Sequence, residues 1–235
     1  MKRRLCHIFA LAVIGIFFSA AQSWAWHDET HIAIAKVSGY KKWFNACGAD
    51  MAKLKAGQME KGNHYVNNPP GTVVTPKMVQ DQVTKYNQID MDGHLYGAII
   101  ASLRDYIRDK TNGKYGEYHL AFCSHYIGDL SMPLHNTGLF DSFNQKHHKE
   151  MDGIINDEVL DHLNEIRVYP IAIDSEEDLA KEIARIANLS MALGYRLERE
   201  KRLLTREEAY TQISHSASLF KAVLVYSERL LKSRQ

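Results

Sequence analysis

Two histidines in this 235-residue chain are each followed four residues later by a carboxylate, at His125…Asp129 and His148…Asp152. On a helix that spacing stacks imidazole and carboxylate on one face, a turn apart. With 12 histidines and 28 acidic residues, chance alone supplies one or two such pairs, so the neighbours must carry the argument. Asp129 is followed by Pro133 and His135, which break the helix and turn a further imidazole back toward the pair. Upstream, Asp50 opens a helical stretch, His64 lies in a polar loop, and His31 follows Trp26 by five residues. Imidazole and carboxylate donors without cysteine suit zinc at hydrolytic sites, where one coordination position stays open for water. These donors outnumber what one tetrahedral ion accepts, so the pattern calls for a multinuclear centre.

Trp26 enters through processing. Lys2, Arg3 and Arg4 precede an apolar run from Ile8 to Phe18, and Ser23-Trp24-Ala25 puts small residues at the cleavage-determining positions. This reads as a signal peptide over residues 1–25, too short and too sharply ended to span a membrane. Cleavage there predicts an exported protein, periplasmic or secreted, whose first residue is Trp26. Its α-amino group and carbonyl can then chelate a metal together with His31. None of the 28 acidic residues and only three of the 29 basic ones lie in residues 1–25. The remainder is slightly acidic, with no basic stripe that would mark a nucleic-acid binder by charge alone. It keeps Cys47 and Cys123, which form one bridge or stay as thiols; two cysteines are no disulfide framework.

The elements that must position these residues are helices, and residues 26–235 read as one all-α, multi-helix domain. A first helix follows Trp26 and runs to Gly39, and a second covers about Asp50–Lys55 before Gly57. Residues 58–75 read as a loop, and Thr75-Pro76 as a cap with proline in the first turn. Leu95, Ile99, Leu103 and Ile107 mark a long helix ending near Asn112-Gly113. Further helices are expected over about Tyr115–Leu130 and His147–Ile166. Another starts at Asp174-Ser175 with Gly194 as its stop, and the last opens at the capping box Thr205–Glu208. No alternating strand pattern competes.

The segment His125-Tyr126-x-Gly128-Asp129-Leu130-Ser131-x-Pro133-x-His135 resembles the signature of the zinc-dependent phospholipase C / S1–P1 nuclease superfamily. The Trp, His, Asp…His and final His-x-x-x-Asp also follow that family's order, from Trp26 to Asp152. The resemblance implies an all-α fold and three Zn2+ ions. One ion would be held by Asp50, His64, His125 and Asp129, and a second by His135, His148 and Asp152. The third would take the amine and carbonyl of Trp26, His31, and Asp129 as a bridge. It further implies phosphodiester hydrolysis by in-line attack of a zinc-held hydroxide, with Asp50 orienting the nucleophile. The other histidines, His27, His94, His119, His147, His162 and His215, read as structural or surface residues.

The substrate is read two ways. The Trp26–His31 interval, Asp152 as the last acid, Tyr65 as a base-stacking aromatic and Lys53 as a phosphate contact are nuclease-like. The short His135–His148 interval, the thirteen residues between Asp50 and His64, and Glu29 at a headgroup-binding position resemble bacterial phospholipases C. Met51 and Lys61 replace the aromatic cage that a quaternary ammonium needs. The expectation is a phospholipase C-like enzyme cleaving phospholipid headgroups, with transient contact to a membrane surface and no obligate protein partner. The alternative is an S1/P1-type nuclease acting on single-stranded DNA or RNA, and a minor one is a non-catalytic zinc-binding protein.

Overall fold

The computed structural model describes residues 26–234; the signal-peptide reading of residues 1–25 lies outside them. The chain is all-α, with no strand among the described residues. Its helices are α1 (Asp28–Val37), α2 (Gly48–Ala56), α3 (Gln58–Lys61), α4 (Pro76–Gln82), α5 (Leu95–Thr111), α6 (Glu117–Leu130), α7 (Ser142–Asp152), α8 (Glu176–Glu200) and α9 (Arg206–Lys232). Single 3-10 turns at Gly62–His64 and Pro133–His135 matter as much as the helices, because each ends in a histidine of the site.

The layout is built around α6. Nearly all of it is buried, and it packs along α5 on one side while α1, α2, α8 and α9 also lie against it. One apolar core joins α5, α6, α8 and α9 through Leu95, Ile99, Ile127, Ile183 and Phe220. A second gathers Trp26, Ile34, Met132, Met151, Leu197 and Ile213 under α1 and α7. The elements that carry the polar residues of interest come from both cores, α2 and α6 from the first, α7 and the Pro133–His135 turn from the second, and α1 from each.

The helices depart from the sequence reading at several points, α7 starting at Ser142 rather than His147. Helix α7 stops at Asp152 rather than Ile166; turns then take over, with Asn156 N–H bonded to the Gly153 carbonyl and Glu158 N–H to that of Ile155. The Asn156 side chain accepts from the Glu29 N–H, tying this turn to α1 at 3.2 Å. Gly194 does not end α8, which continues to Glu200 and closes with Lys201 in the left-handed region at φ 52°. Gly194 lies where α8 crosses the Pro133 turn, and a Cβ there would lie 2.7 Å from Thr137 Cγ2. It is a close-approach glycine, not a stop. The loop of residues 58–75 also contains α3 and the 3-10 turn that delivers His64. The caps at Thr75, Ser175 and Thr205 are as expected, each hydroxyl accepting an N–H three residues on.

Candidate metal centre

Six elements converge on one buried cluster. Helix α1 brings His31, α2 brings Asp50 and Lys53, the two 3-10 turns bring His64 and His135, α6 brings His125 and Asp129, and α7 brings His148 and Asp152. These histidines and aspartates are all buried, Asp129 and Asp152 completely and Asp50 at 8% exposure. Asp129 is the hub. Its Oδ1 is 3.4 Å from His31 Nε2 and 3.7 Å from His135 Nδ1; its Oδ2 is 2.9 Å from His64 Nδ1 and 3.4 Å from His125 Nε2.

Most of these separations are long for hydrogen bonds and suit a shared cation. Donors about 2.0–2.1 Å from a tetrahedral ion lie about 3.3–3.4 Å from one another. The other contacts fall in the same range: His125 Nε2 to Asp50 Oδ1 3.6 Å, His148 Nε2 to Asp152 Oδ2 3.5 Å, His64 Nδ1 to Asp50 Oδ1 3.8 Å. Three buried groups could hold metal ions, with donors within 4.8 Å of one another: Asp50/His64/His125, His31/His125/Asp129 and His135/His148/Asp152. The third matches the set implied by the resemblance. The other two share His125, because the His31 ring stacks on the His125 ring at 3.7 Å between centroids.

The far side of three of the five imidazoles is tied to protein. His125 Nδ1 pairs with the Ala46 carbonyl at 2.9 Å, His135 Nδ1 with the His64 carbonyl at 2.6 Å, and His148 Nδ1 with Asn144 Oδ1 at 2.6 Å. Those acceptors require N–H at Nδ1, which leaves Nε2 as the lone-pair nitrogen facing the cluster. The Nε2 atoms of His125 and His135, both ring nitrogens of His31 and Asp129 Oδ1 are buried with no hydrogen-bond partner. Buried polar atoms are normally satisfied, so this donor set fits cations.

Electrostatics agrees. Burial pushes His31 and His125 down to about 4 and His148 to about 3, and His64 and His135 also fall well below the usual imidazole range. The rings are therefore neutral at pH 7, the form that ligates metal. Burial, with Asp50 nearby, drives Asp129 well above the carboxylate range. For Asp50 burial acts the same way, but the neighbouring His125, Lys53 and His64 outweigh it and hold the group below that range.

The remaining expected residues have definite places. The Trp26 side chain is core, while its backbone acts on the His31 ring and partly opposes that ring's shift. Lys53 Nζ is 2.7 Å from Asp50 Oδ1, one turn along α2. Glu29 lies half-buried on α1, its backbone bonded to Asn156. Tyr65 is packed against Gly93, and its hydroxyl donates to the Met91 carbonyl at 3.1 Å; it is not drawn into the cluster. Cys47 and Cys123 are free thiols, and burial raises that of Cys123 to about 12. Among the other histidines, His94 pairs with Asn63 and His119 with Asp109, as structural residues do.

Glu60 escaped the sequence reading. It is buried on α3 with Oε1 3.4 Å from His64 Nε2, and it accepts from the Tyr126 hydroxyl at 2.5 Å and the Asn63 amide at 3.0 Å. Burial lifts it to about 7 against those two hydrogen bonds. The signal was present as an acid four residues before a histidine, the reverse of the order that drew attention to Asp129 and Asp152. No protein-family model matches the chain, and no curated protein matches it either.

Proposed function

We propose that this protein is an exported, three-zinc phosphodiester hydrolase of the phospholipase C type, acting on phospholipid headgroup esters. The observation that carries the reading is the Asp129 hub, a fully buried carboxylate with His31 Nε2 and His125 Nε2 at the ion-sharing distance of 3.4 Å and His64 Nδ1 at 2.9 Å. Zinc bound there would supply Lewis-acid activation of water and of the phosphoryl group near neutral pH. The chain's own groups do the rest. Asp50, held deprotonated and the most open of the three carboxylates, accepts a proton from the attacking water at a carboxylate oxygen. Lys53, ion-paired with it, offers an N–H to a phosphate oxygen and fixes the diester for in-line attack. Water oxygen bonds to phosphorus, the bond to the glycerol oxygen breaks, and that oxygen takes up the proton that Asp50 accepted and leaves as diacylglycerol. The phosphorylated headgroup is the second product.

Tyr65 favours lipid over nucleic acid, because an aromatic only 6% exposed with its hydroxyl engaged offers no free face for base stacking. Asp152 and the Trp26–His31 interval favour the nuclease alternative. Elemental analysis of purified protein beginning at Trp26 should find about three zincs per chain, and one or none would overturn the centre. Incubated side by side with mixed phospholipids, single-stranded DNA and RNA, the protein should release diacylglycerol and no nucleotides. The reverse result would replace this reading with the nuclease one.

A further inference from the structure

Between Lys36 and Lys61 the chain carries an unusual surface. Phe44, Met51, Leu54 and Met59 are 57%, 61%, 63% and 49% exposed. Single exposed apolar side chains need no explanation, but four within sixteen residues, on consecutive short elements, form a local feature. Phe44, Cys47, Met51 and Leu54 follow 3-4-3 spacing, and the backbone from the Trp43–Asn45 turn through α2 stays close to right-handed helix. Residues so spaced share a face.

The charges of this stretch are one-sided. Its six charged cations are Lys36, Lys41, Lys42, Lys53, Lys55 and Lys61, and its only two acids, Asp50 and Glu60, are buried. Lys36, Lys41 and Lys55 are exposed. The acids of other elements that bear on this region are Asp28 and Glu29, which act on Cys47, and Glu117, which is engaged by Lys42 and Lys110. Apolar side chains interleaved with exposed lysines, here Lys36, Lys41 and Lys55, are the composition of an interfacial surface: the apolar groups enter the headgroup–acyl boundary while the ammonium heads meet lipid phosphates.

We infer that the Phe44–Met59 face is a docking surface for an anionic phospholipid bilayer. The placement serves the site, for α2 exposes Met51, about 100° around the helix from Asp50, and Leu54, about 100° from Lys53. A bilayer on that face brings headgroups to the helix that supplies both groups. The inference rests on the phospholipid reading for its purpose, but docking is measurable without hydrolysis.

The test is sedimentation of the zinc-loaded protein with vesicles of phosphatidylcholine mixed with phosphatidylglycerol, and of phosphatidylcholine alone. Wild type and variants keep the same N-terminus, so residues 1–25 contribute equally to all. Wild type should sediment with the anionic vesicles, less so as salt rises. Met51→Asp/Leu54→Asp should lower binding by about tenfold or more, and Lys41→Glu/Lys55→Glu by about fivefold or more per lysine with a flatter salt dependence. Unchanged helical circular dichroism verifies that these surface variants fold. Absence of sedimentation with anionic vesicles, or undiminished binding by both variants, overturns the docking surface. So does loss of single-stranded DNA affinity by the variants with vesicle binding intact. Patch-dependent sedimentation without diacylglycerol release keeps the docking surface and removes the phospholipase reading; diacylglycerol release without sedimentation does the opposite.

Discussion

At the scale of single residues, the centre depends on two residues that belong to none of the three candidate groups. Gly128, one residue before Asp129, leaves room for a ring: a Cβ there would lie 2.4 Å from His31 Nδ1 and 2.7 Å from its Cε1. Neither the buried helix backbone nor a ring stacked on His125 can yield that distance cheaply. Gly128→Ala should therefore displace His31, with an overpacking cost of about 1–3 kcal/mol, and remove metal from the His31/His125/Asp129 group first. Zinc content and thermal melting measure both; retention of full zinc would show that His31 is dispensable. Glu60 lies on the other side, its Oε1 3.4 Å from His64 Nε2 while Nδ1 faces Asp129. Partners of this kind tune affinity about 10–100-fold, so Glu60→Gln should weaken zinc binding by that factor in competition with a chromophoric chelator. Unchanged affinity would reduce Glu60 to packing. Most of the cluster was legible from residue types in order along the chain. Glu60 and its Tyr126 partner were not, because their contact joins α3 to α6 across 66 positions.

At the scale of elements, hydrogen-bonding chemistry was readable and packing was not. Thr75, Ser175 and Thr205 cap as their local sequence dictates, since a cap is settled within four residues. Gly194 misled because a helix glycine reads as a stop until the neighbouring Pro133 turn is known. Replacing it by alanine would gain about 1 kcal/mol of intrinsic propensity on an isolated helix. Here the added Cβ meets Thr137 Cγ2 at 2.7 Å and the Pro133 carbonyl oxygen at 3.1 Å, so Gly194→Ala should lower the melting temperature. A rise would show that the turn yields. The α8–α9 corner carries a pH dependence of its own. Arg202 binds both oxygens of Glu208, at 2.8 and 2.9 Å, and the Thr205 N–H adds a bond at 3.0 Å. Arg202 first, then that N–H, overcome burial and hold Glu208 down to about 2 from an ordinary 4.5. The folded state thus binds this proton less readily than the unfolded chain. Its stabilisation is complete above about 4.5 and fades as pH falls toward about 2. The pair is partly exposed, with 35% and 21% of its side-chain surface open to solvent, so Glu208→Gln should cost about 2–4 °C in melting temperature near neutrality. Wild type and variant should converge in acid, and a gap that persists there would assign the effect to packing.

At the scale of the whole molecule, the cluster is where otherwise separate parts of the chain meet. Asp50, Asp129 and Asp152 come from three different helices and are enclosed with five imidazoles held neutral by burial. Without cations, Asp129 is buried beside Asp50, whose ion pair is with Lys53, an arrangement costly in a low-dielectric interior. With cations present, binding to the folded state alone adds stability by mass action, about 4 kcal/mol for one site at a thousandfold excess over its dissociation constant. For a domain of this size about 1 kcal/mol corresponds to 2–4 °C, so stripping even one ion should lower the melting temperature by about 8–16 °C. The two apolar cores do not pass through the cluster, which predicts how the loss is distributed. Helical circular dichroism at room temperature should change little on chelation, while amide exchange should quicken in the histidine-bearing turns at Gly62–His64 and Pro133–His135 and at the end of α7. Added zinc should restore both the melting temperature and the protection. A melting temperature indifferent to chelator and to added zinc would mean that these side chains are satisfied by one another, and the hydrolase reading would lose its foundation.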